Sequence, residues 1–190
     1  IKWEYYPVAL APDMKYDMDG CFSGSAIETD EGHMLVYTGV THEENDGKKN
    51  EYQNQCVALG DGKSYKKIEN NPVINGEIMP QNFSREHFRD PKVWKEDDGY
   101  YLVAGNKTND GKPQVVLFHS KDMYDWRYVS VLAEDVTGKY GTMWECPDFF
   151  EINGQYILIA SPQDMCADDE FHNGNNSVYF IGNYDRDMHK

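Results

Sequence analysis

Short, strand-sized apolar runs separated by polar turns recur along this chain, and 3.6-residue periodicity is sustained nowhere. The pattern predicts strands and little helix. Three stretches share one layout: Ser23-Gly-Ser-Ala-Ile-Glu-Thr-Asp-Glu-Gly32, Asp90-Pro-Lys-Val-Trp-Lys-Glu-Asp-Asp-Gly99 and Glu145-Cys-Pro-Asp-Phe-Phe-Glu-Ile-Asn-Gly154. Each ends at a turn glycine, as Glu-Gly, Asp-Gly or Asn-Gly, and the dipeptides mark tight hairpins. An apolar strand follows each turn: 33–38, 100–104 and 155–160. Third strands follow at 54–59, 114–119 and 177–181, and fourth strands at 65–68 and 127–132.

Four strands in units of about 55–65 residues are the signature of propeller blades. The opening segment Trp3-Glu-Tyr-Tyr-Pro-Val-Ala-Leu10 resembles the fourth strand beginning at Trp126, and so reads as the outer strand of another blade. The last unit stops after its third strand. The expectation is an all-β chain, a fragment of a β-propeller with about two full blades and two partial ones. A generic meander or sandwich is the competing reading. Blade edges without neighbours invite self-association. The polar stretches 41–51 and 106–113 read as solvated loops.

Counted back from the turn glycines, Ser23, Asp90 and Glu145 occupy equivalent places. A radial repeat aims all three at one axis. Two carboxyl groups converging on one site are the raw material of acid/base chemistry on sugars. Apolar Trp144 and Cys146 beside Glu145, with Pro147 fixing the turn, would desolvate its carboxyl and raise its pKa, as a general acid requires. The bland reading is a surface Glu at a strand start. Arg89 beside Asp90 would keep that carboxylate ionised to accept two vicinal sugar hydroxyls, against the plainer reading of a turn Asp before Pro. Phe22 can pack on a sugar face while Ser23 hydrogen-bonds it; small residues at a strand start are the alternative.

Composition narrows the classes. The 190 residues carry a net charge of −15, against general nucleic-acid binding. A local anion pocket stays open, with Lys and Arg on loops near the axis able to hold a phosphate, although sequence does not place them. No membrane-length apolar run occurs. The four cysteines, Cys21, Cys56, Cys146 and Cys166, have no zinc spacing and read as free buried thiols. That favours a reducing compartment, here the cytoplasm. Sequons at Asn82, Asn106 and Asn175 would fit secretion instead. The six histidines show no metal spacing. Asp17-Met-Asp-Gly20 reads as a turn and not a calcium loop. No metal or cofactor is expected.

Taken in order, residues 3–12, Gly20-Cys-Phe-Ser-Gly-Ser-Ala26, Phe88-Arg-Asp-Pro91 and Trp144-Glu-Cys-Pro-Asp148 resemble glycoside hydrolase family 32, the family of invertases, inulinases, levanases and sucrose-6-phosphate hydrolases. The resemblance covers essentially the whole chain. It implies a five-bladed propeller, usually followed by a β-sandwich, that cleaves terminal β-fructofuranosides with retention through a covalent fructosyl-enzyme. Carried over by position, it implies Glu145 as general acid/base and Asp90 as transition-state stabiliser with Arg89 beside it. It also implies Phe22 and Ser23 as fructose contacts and Cys146 as a thiol tuning the acid. The family's nucleophile, an Asp in Trp-x-Asn-Asp-Pro-Asn-Gly, has no match here. The nucleophile strand, the fifth blade and the sandwich are therefore expected outside residues 1–190, and this chain alone is expected to be inactive. A non-catalytic fructoside-binding or interaction module is the alternative. A related five-bladed family acting on arabinosides or transferring fructose is a third reading, and Cys21-Phe-Ser-Gly-Ser-Ala26 argues against the arabinoside group.

Overall fold

The computed structural model describes residues 2–45 and 47–189. Its elements are strands β1 (Gly20–Thr29), β2 (Gly32–Asn45), β3 (Lys48–Gly60), β4 (Tyr65–Lys67), β5 (Phe83–Glu96), β6 (Gly99–Thr108), β7 (Pro113–Ser120), β8 (Trp126–Glu134), β9 (Met143–Ile152), β10 (Gln155–Gln163) and β11 (Val178–Gly182). They form three antiparallel meanders: β1-β2-β3-β4, β5-β6-β7-β8 and β9-β10-β11. No helix occurs among the described residues.

The sheets stack face to face, and the alternation within each strand decides what each face meets. In the middle sheet Leu102, Ala104, Val116 and Phe118 turn toward the first sheet, where Met34, Val36, Val57 and Ile74 receive them. Tyr101, Val103, Val115 and Leu117 turn toward the third, against Trp144, Leu158, Ala160 and Val178. With both faces covered, every residue of β7 is buried, and its centre, Val115-Val-Leu-Phe118, is apolar without a break. Each such side chain contributes about 1.5–3 kcal/mol of burial. The outer face of the third sheet is open: Tyr179 is 70% and Ile181 56% exposed.

Three expectations change. Residues 2–10 form no strand; Trp3 is 82% and Tyr5 97% exposed, and among the described residues the segment joins no β-ladder, although Leu10 packs against Tyr37, Cys56 and Ala58 of the first sheet. Segment 41–51 is no loop: the β2–β3 ladder continues through Thr41↔Tyr52 and His42↔Glu51 to Asn45↔Lys48. Its polar residues are those of an extended hairpin arm, wet on both sides. Residues 106–108 likewise belong to β6. Asn106 is fully buried and donates to the carbonyls of Ser84 (2.8 Å) and His87 (2.7 Å), so its sequon is not an acceptor site.

The middle and third sheets approach closely at Gly105. A Cβ there would lie 2.1 Å from the carbonyl oxygen of Trp144, a backbone atom with no rotamer to yield. Gly105→Ala is expected to destabilise the fold by roughly 1–3 kcal/mol, read as a lower urea midpoint. Gly182→Ala, with nothing within 4 Å of the added carbon, is the control and should leave the midpoint unchanged.

Candidate active site

The first strand of each sheet carries one extra residue at mid-length. The ladder steps from Phe22↔Thr38 to Gly24↔Tyr37, from Arg89↔Gly105 to Lys92↔Val103, and from Glu145↔Ser161 to Asp148↔Ile159. Each step is a one-residue bulge. Asp90 and Cys146 adopt left-handed backbone, φ +64° and +47°, which costs of order 1–3 kcal/mol at a non-glycine residue. Bulges re-aim side chains. Strict alternation would send consecutive residues to opposite faces, but here both members of each pair, Phe22/Ser23, Arg89/Asp90 and Glu145/Cys146, line one cleft of about 610 Å³.

The equivalence counted from the turn glycines needs correction by one residue. Gly32 and Gly99 are the first residues of β2 and β6, whereas Asn153-Gly154 is itself the two-residue turn, with φ +52° and +78°. By ladder register Asp90 matches Ser23 and Cys146, while Glu145 matches Arg89 and Phe22. The convergence survives because a bulge admits both registers to the same cavity.

Asp90 and Glu145 meet through short bonds. The Cys146 amide donates to Asp90 Oδ2 at 2.9 Å, and the Cys146 thiol points at the same oxygen from 3.5 Å. Asp90 Oδ1 has no protein donor among the described residues and is available to a ligand's hydroxyls. The Asp90 amide donates to Thr38 Oγ1, and that hydroxyl donates to Gln55 Oε1, both at 2.9 Å. Arg89 pairs with Glu145 and not with its neighbour Asp90: Nε donates to Glu145 Oε1 at 2.9 Å, and the other nitrogens reach Gln53 Oε1 (3.3 Å) and Gln163 Oε1 (3.4 Å). The apolar neighbour Trp144 does not enclose the Glu145 carboxyl; its ring is buried against Phe180 in the core. Phe22 is half-exposed at the mouth, as a stacking surface for a sugar face would be.

Four lining or supporting groups escaped the motif reading. Glu51 and Gln53 line the cleft, Gln55 anchors the Phe88 carbonyl at 2.8 Å, and His87 closes one wall. Glu51, Gln53 and Gln55 recur at every second position of β3 and so share one face, but Asn50 and Asn54 make the alternate positions polar as well, and the sequence alone does not single that face out. Asp17, in the segment read as a turn, is fully buried and holds the entry to β1. It accepts from the Met14 amide (3.0 Å) and the Tyr37 hydroxyl (2.7 Å) and pairs with Lys67.

The Glycosyl hydrolases family 32 N-terminal domain matches residues 1–190. The chain belongs to glycoside hydrolase family 32. Over 192 residues it is 38% identical to the sucrose-6-phosphate hydrolase of Bacillus subtilis (strain 168), covering 97% of this chain and 38% of that relative. A family 32 β-fructofuranosidase of Bombyx mori, solved as a mutant in complex with sucrose, superposes with a TM-score of 0.85 at 37% identity, over 100% of this chain and 39% of that one. The sucrose-6-phosphate hydrolase of Lactobacillus gasseri gives a TM-score of 0.78 at 29% identity, over 98% of this chain and 37% of that one. The chain thus spans well under half the length of these relatives. In family 32 terms the three sheets are blades of the N-terminal β-propeller, and the cleft lies where their first strands converge.

All four cysteines are free, but only Cys56 is buried as expected; Cys21 is partly buried and Cys146 and Cys166 are exposed. Burial first, then the Asp90 carboxylate beside it, pushes the Cys146 thiol up to about 11. Below that pH it remains a protonated donor to Asp90. Although Cys146 is solvent-accessible, iodoacetamide should label it slowly at pH 7.5 and rapidly only as pH climbs toward 11, because the thiolate is the nucleophile. Peptide mass spectrometry follows this; labelling at pH 7.5 as fast as an unfolded control peptide would contradict the arrangement.

Proposed function

We propose that this domain supplies the acid/base and substrate-gripping groups of a retaining β-fructofuranosidase acting on sucrose or its 6-phosphate. The observation that carries the reading is the meeting of Asp90 and Glu145 in one cleft, joined through the Cys146 amide and flanked by Arg89. The sucrose-6-phosphate hydrolase of Bacillus subtilis and the β-fructofuranosidase of Bombyx mori, relatives of this chain, support it.

In this reading fructose enters with its ring against Phe22 and with vicinal hydroxyls on Asp90 and Ser23. Glu145 gives its proton to the glycosidic oxygen, so the leaving sugar departs neutral. As the anomeric carbon gains oxocarbenium character, the hydroxyl hydrogen bonds to Asp90 strengthen, and binding becomes selective for the transition state. A second carboxylate attacks the anomeric carbon. Glu145, now ionised, takes a proton from water as that water releases fructose. Retention places attacker and acid about 5–5.5 Å apart. The Asn-Asp-Pro motif that holds the attacker in the resembling family is not found in residues 1–190. The cleft therefore retains hydroxyl-binding groups without a full catalytic pair, which favours sugar binding without turnover by this stretch alone. Four free thiols accord with a reducing, cytoplasmic setting.

In the full-length gene product, Glu145→Gln should lower kcat by about 10²–10⁴-fold while KM moves only a few-fold; steady-state fructose release measures both, and equal losses in binding and turnover would count against the role. Residues 1–190, purified alone, are expected to release no fructose from sucrose above a heat-killed control. Appreciable release would overturn the division of labour.

A further inference from the structure

We propose that a basic recess beside the cleft, built by Arg85, His87 and Lys107 against Tyr52, binds a phosphomonoester carried by the leaving sugar of the fructoside. The inference deepens the reading under Proposed function and rests on it for the identity of the bound sugar.

The recess has a volume of about 430 Å³ and shares a wall with the cleft. His87 lines both, and Tyr52 lines the recess while its strand neighbours Glu51 and Gln53 line the cleft. A ligand with fructose over Asp90 would therefore extend its other sugar along His87. The recess sits at the same end of the sheets as the bulges, formed by the start of β5, the end of β6 and the β3 arm.

Its charge is out of character with the chain. There are 33 acidic residues against 18 Lys and Arg, yet among the recess-lining residues Glu86 is the single acid beside Arg85 and Lys107. Among the described residues neither Arg85 nor Lys107 forms an ion pair, so no carboxylate in direct contact neutralises the recess. Packing holds Arg85 in place instead. Its guanidinium lies 4.8 Å over the Tyr52 ring, and its stem occupies the space left by Gly76, where a Cβ would come within 2.1 Å of Arg85 Nε. A guanidinium fixed by stacking, with its donors unspent, is pre-organised for a two-point grip on phosphate oxygens.

The backbone beneath is equally fixed. Ser84 Oγ accepts the amides of Glu86 (3.3 Å) and His87 (3.2 Å), and buried Asn106 ties down the Ser84 and His87 carbonyls. The His87 ring itself is left short of partners: its Nδ1 is buried with no hydrogen bond among the described residues. Burial, then the positive charges of Lys107 and Arg89, push its pKa down, with Glu51 opposing. At neutral pH the ring is thus uncharged and offers one N–H to an anion, while the full charges come from Arg85 and Lys107.

The test uses the full-length gene product, wild type and Arg85→Ala/Lys107→Ala, with Lys107→Gln as a milder second variant and thermal melting to establish that each folds. Neither residue belongs to the acid/base or fructose-gripping set. We expect kcat/KM for sucrose 6-phosphate to fall about 10–100-fold in the double variant and kcat/KM for sucrose to stay within about twofold. Calorimetry with glucose 6-phosphate, glucose and inorganic phosphate separates the sources: the wild type should bind glucose 6-phosphate more tightly than either of the others, and the double variant should lose that preference. Equal losses for both substrates, or no change for either, would overturn the proposal. So would inorganic phosphate binding as tightly as glucose 6-phosphate, since the recess would then be a free-anion site. If the wild type cleaves neither substrate, the fructosidase reading falls, and the calorimetry alone still decides the recess.

Discussion

A single inserted residue in the first strand of each blade organises this domain. The bulge breaks the two-residue alternation at the one level where the blades converge, so consecutive side chains enter the cleft instead of dividing between cleft and core. The left-handed backbone at Asp90 and Cys146 opposes folding locally. It persists because neighbouring strands clamp it: Thr38 takes the Asp90 amide, Asp90 takes the Cys146 amide, and Gln53 and Gln55 hold the Phe88 amide and carbonyl.

These clamps run between sheets, and so the candidate active site is also the polar seam of the fold. Asp90 and Arg89 are buried, and burying an unpaired charge is far more costly than burying a paired one. Arg89 answers this with Glu145, Gln53 and Gln163, one partner from each of three different strands. Apolar packing on either side of the middle sheet supplies most of the stability, but it is compatible with several rotations of one blade on another. The seam is directional and admits one. Gly105 completes the constraint by letting the Trp144 backbone approach closely enough for Cys146 to reach Asp90.

The same economy separates the two polar regions of the cleft face. Inside, Arg89 pairs with Glu145, and Asp90 is held by the Cys146 amide. In the recess beside it, Arg85 and Lys107 stand without carboxylate partners in a chain of net charge −15. Arg85 is held by an aromatic ring and a glycine, so its position does not depend on a counter-ion. Neutral grip and anionic grip therefore rest on different supports, and one can be altered without collapsing the other.

Much of this was legible in the residues. Short apolar runs and glycine turns located the strands of three blades, since a buried strand and a hairpin's tip impose local demands that local sequence must meet. The order of Phe22-Ser23, Arg89-Asp90 and Glu145-Cys146 named the chemistry and the family. What sequence misjudged was whatever depends on a partner strand. Residues 3–10 have strand-like composition but pair with no strand among the described residues; segment 41–51 looked like a loop because a largely polar hairpin arm buries little. The match of Glu145 to Asp90 slipped by one residue because turn type, and not the presence of glycine, sets register. The partner of Arg89 and the counter-ion-free setting of Arg85 and Lys107 were decided only by the tertiary structure, because a charge's partner is fixed by distance in space, and the blades bring together residues more than fifty positions apart.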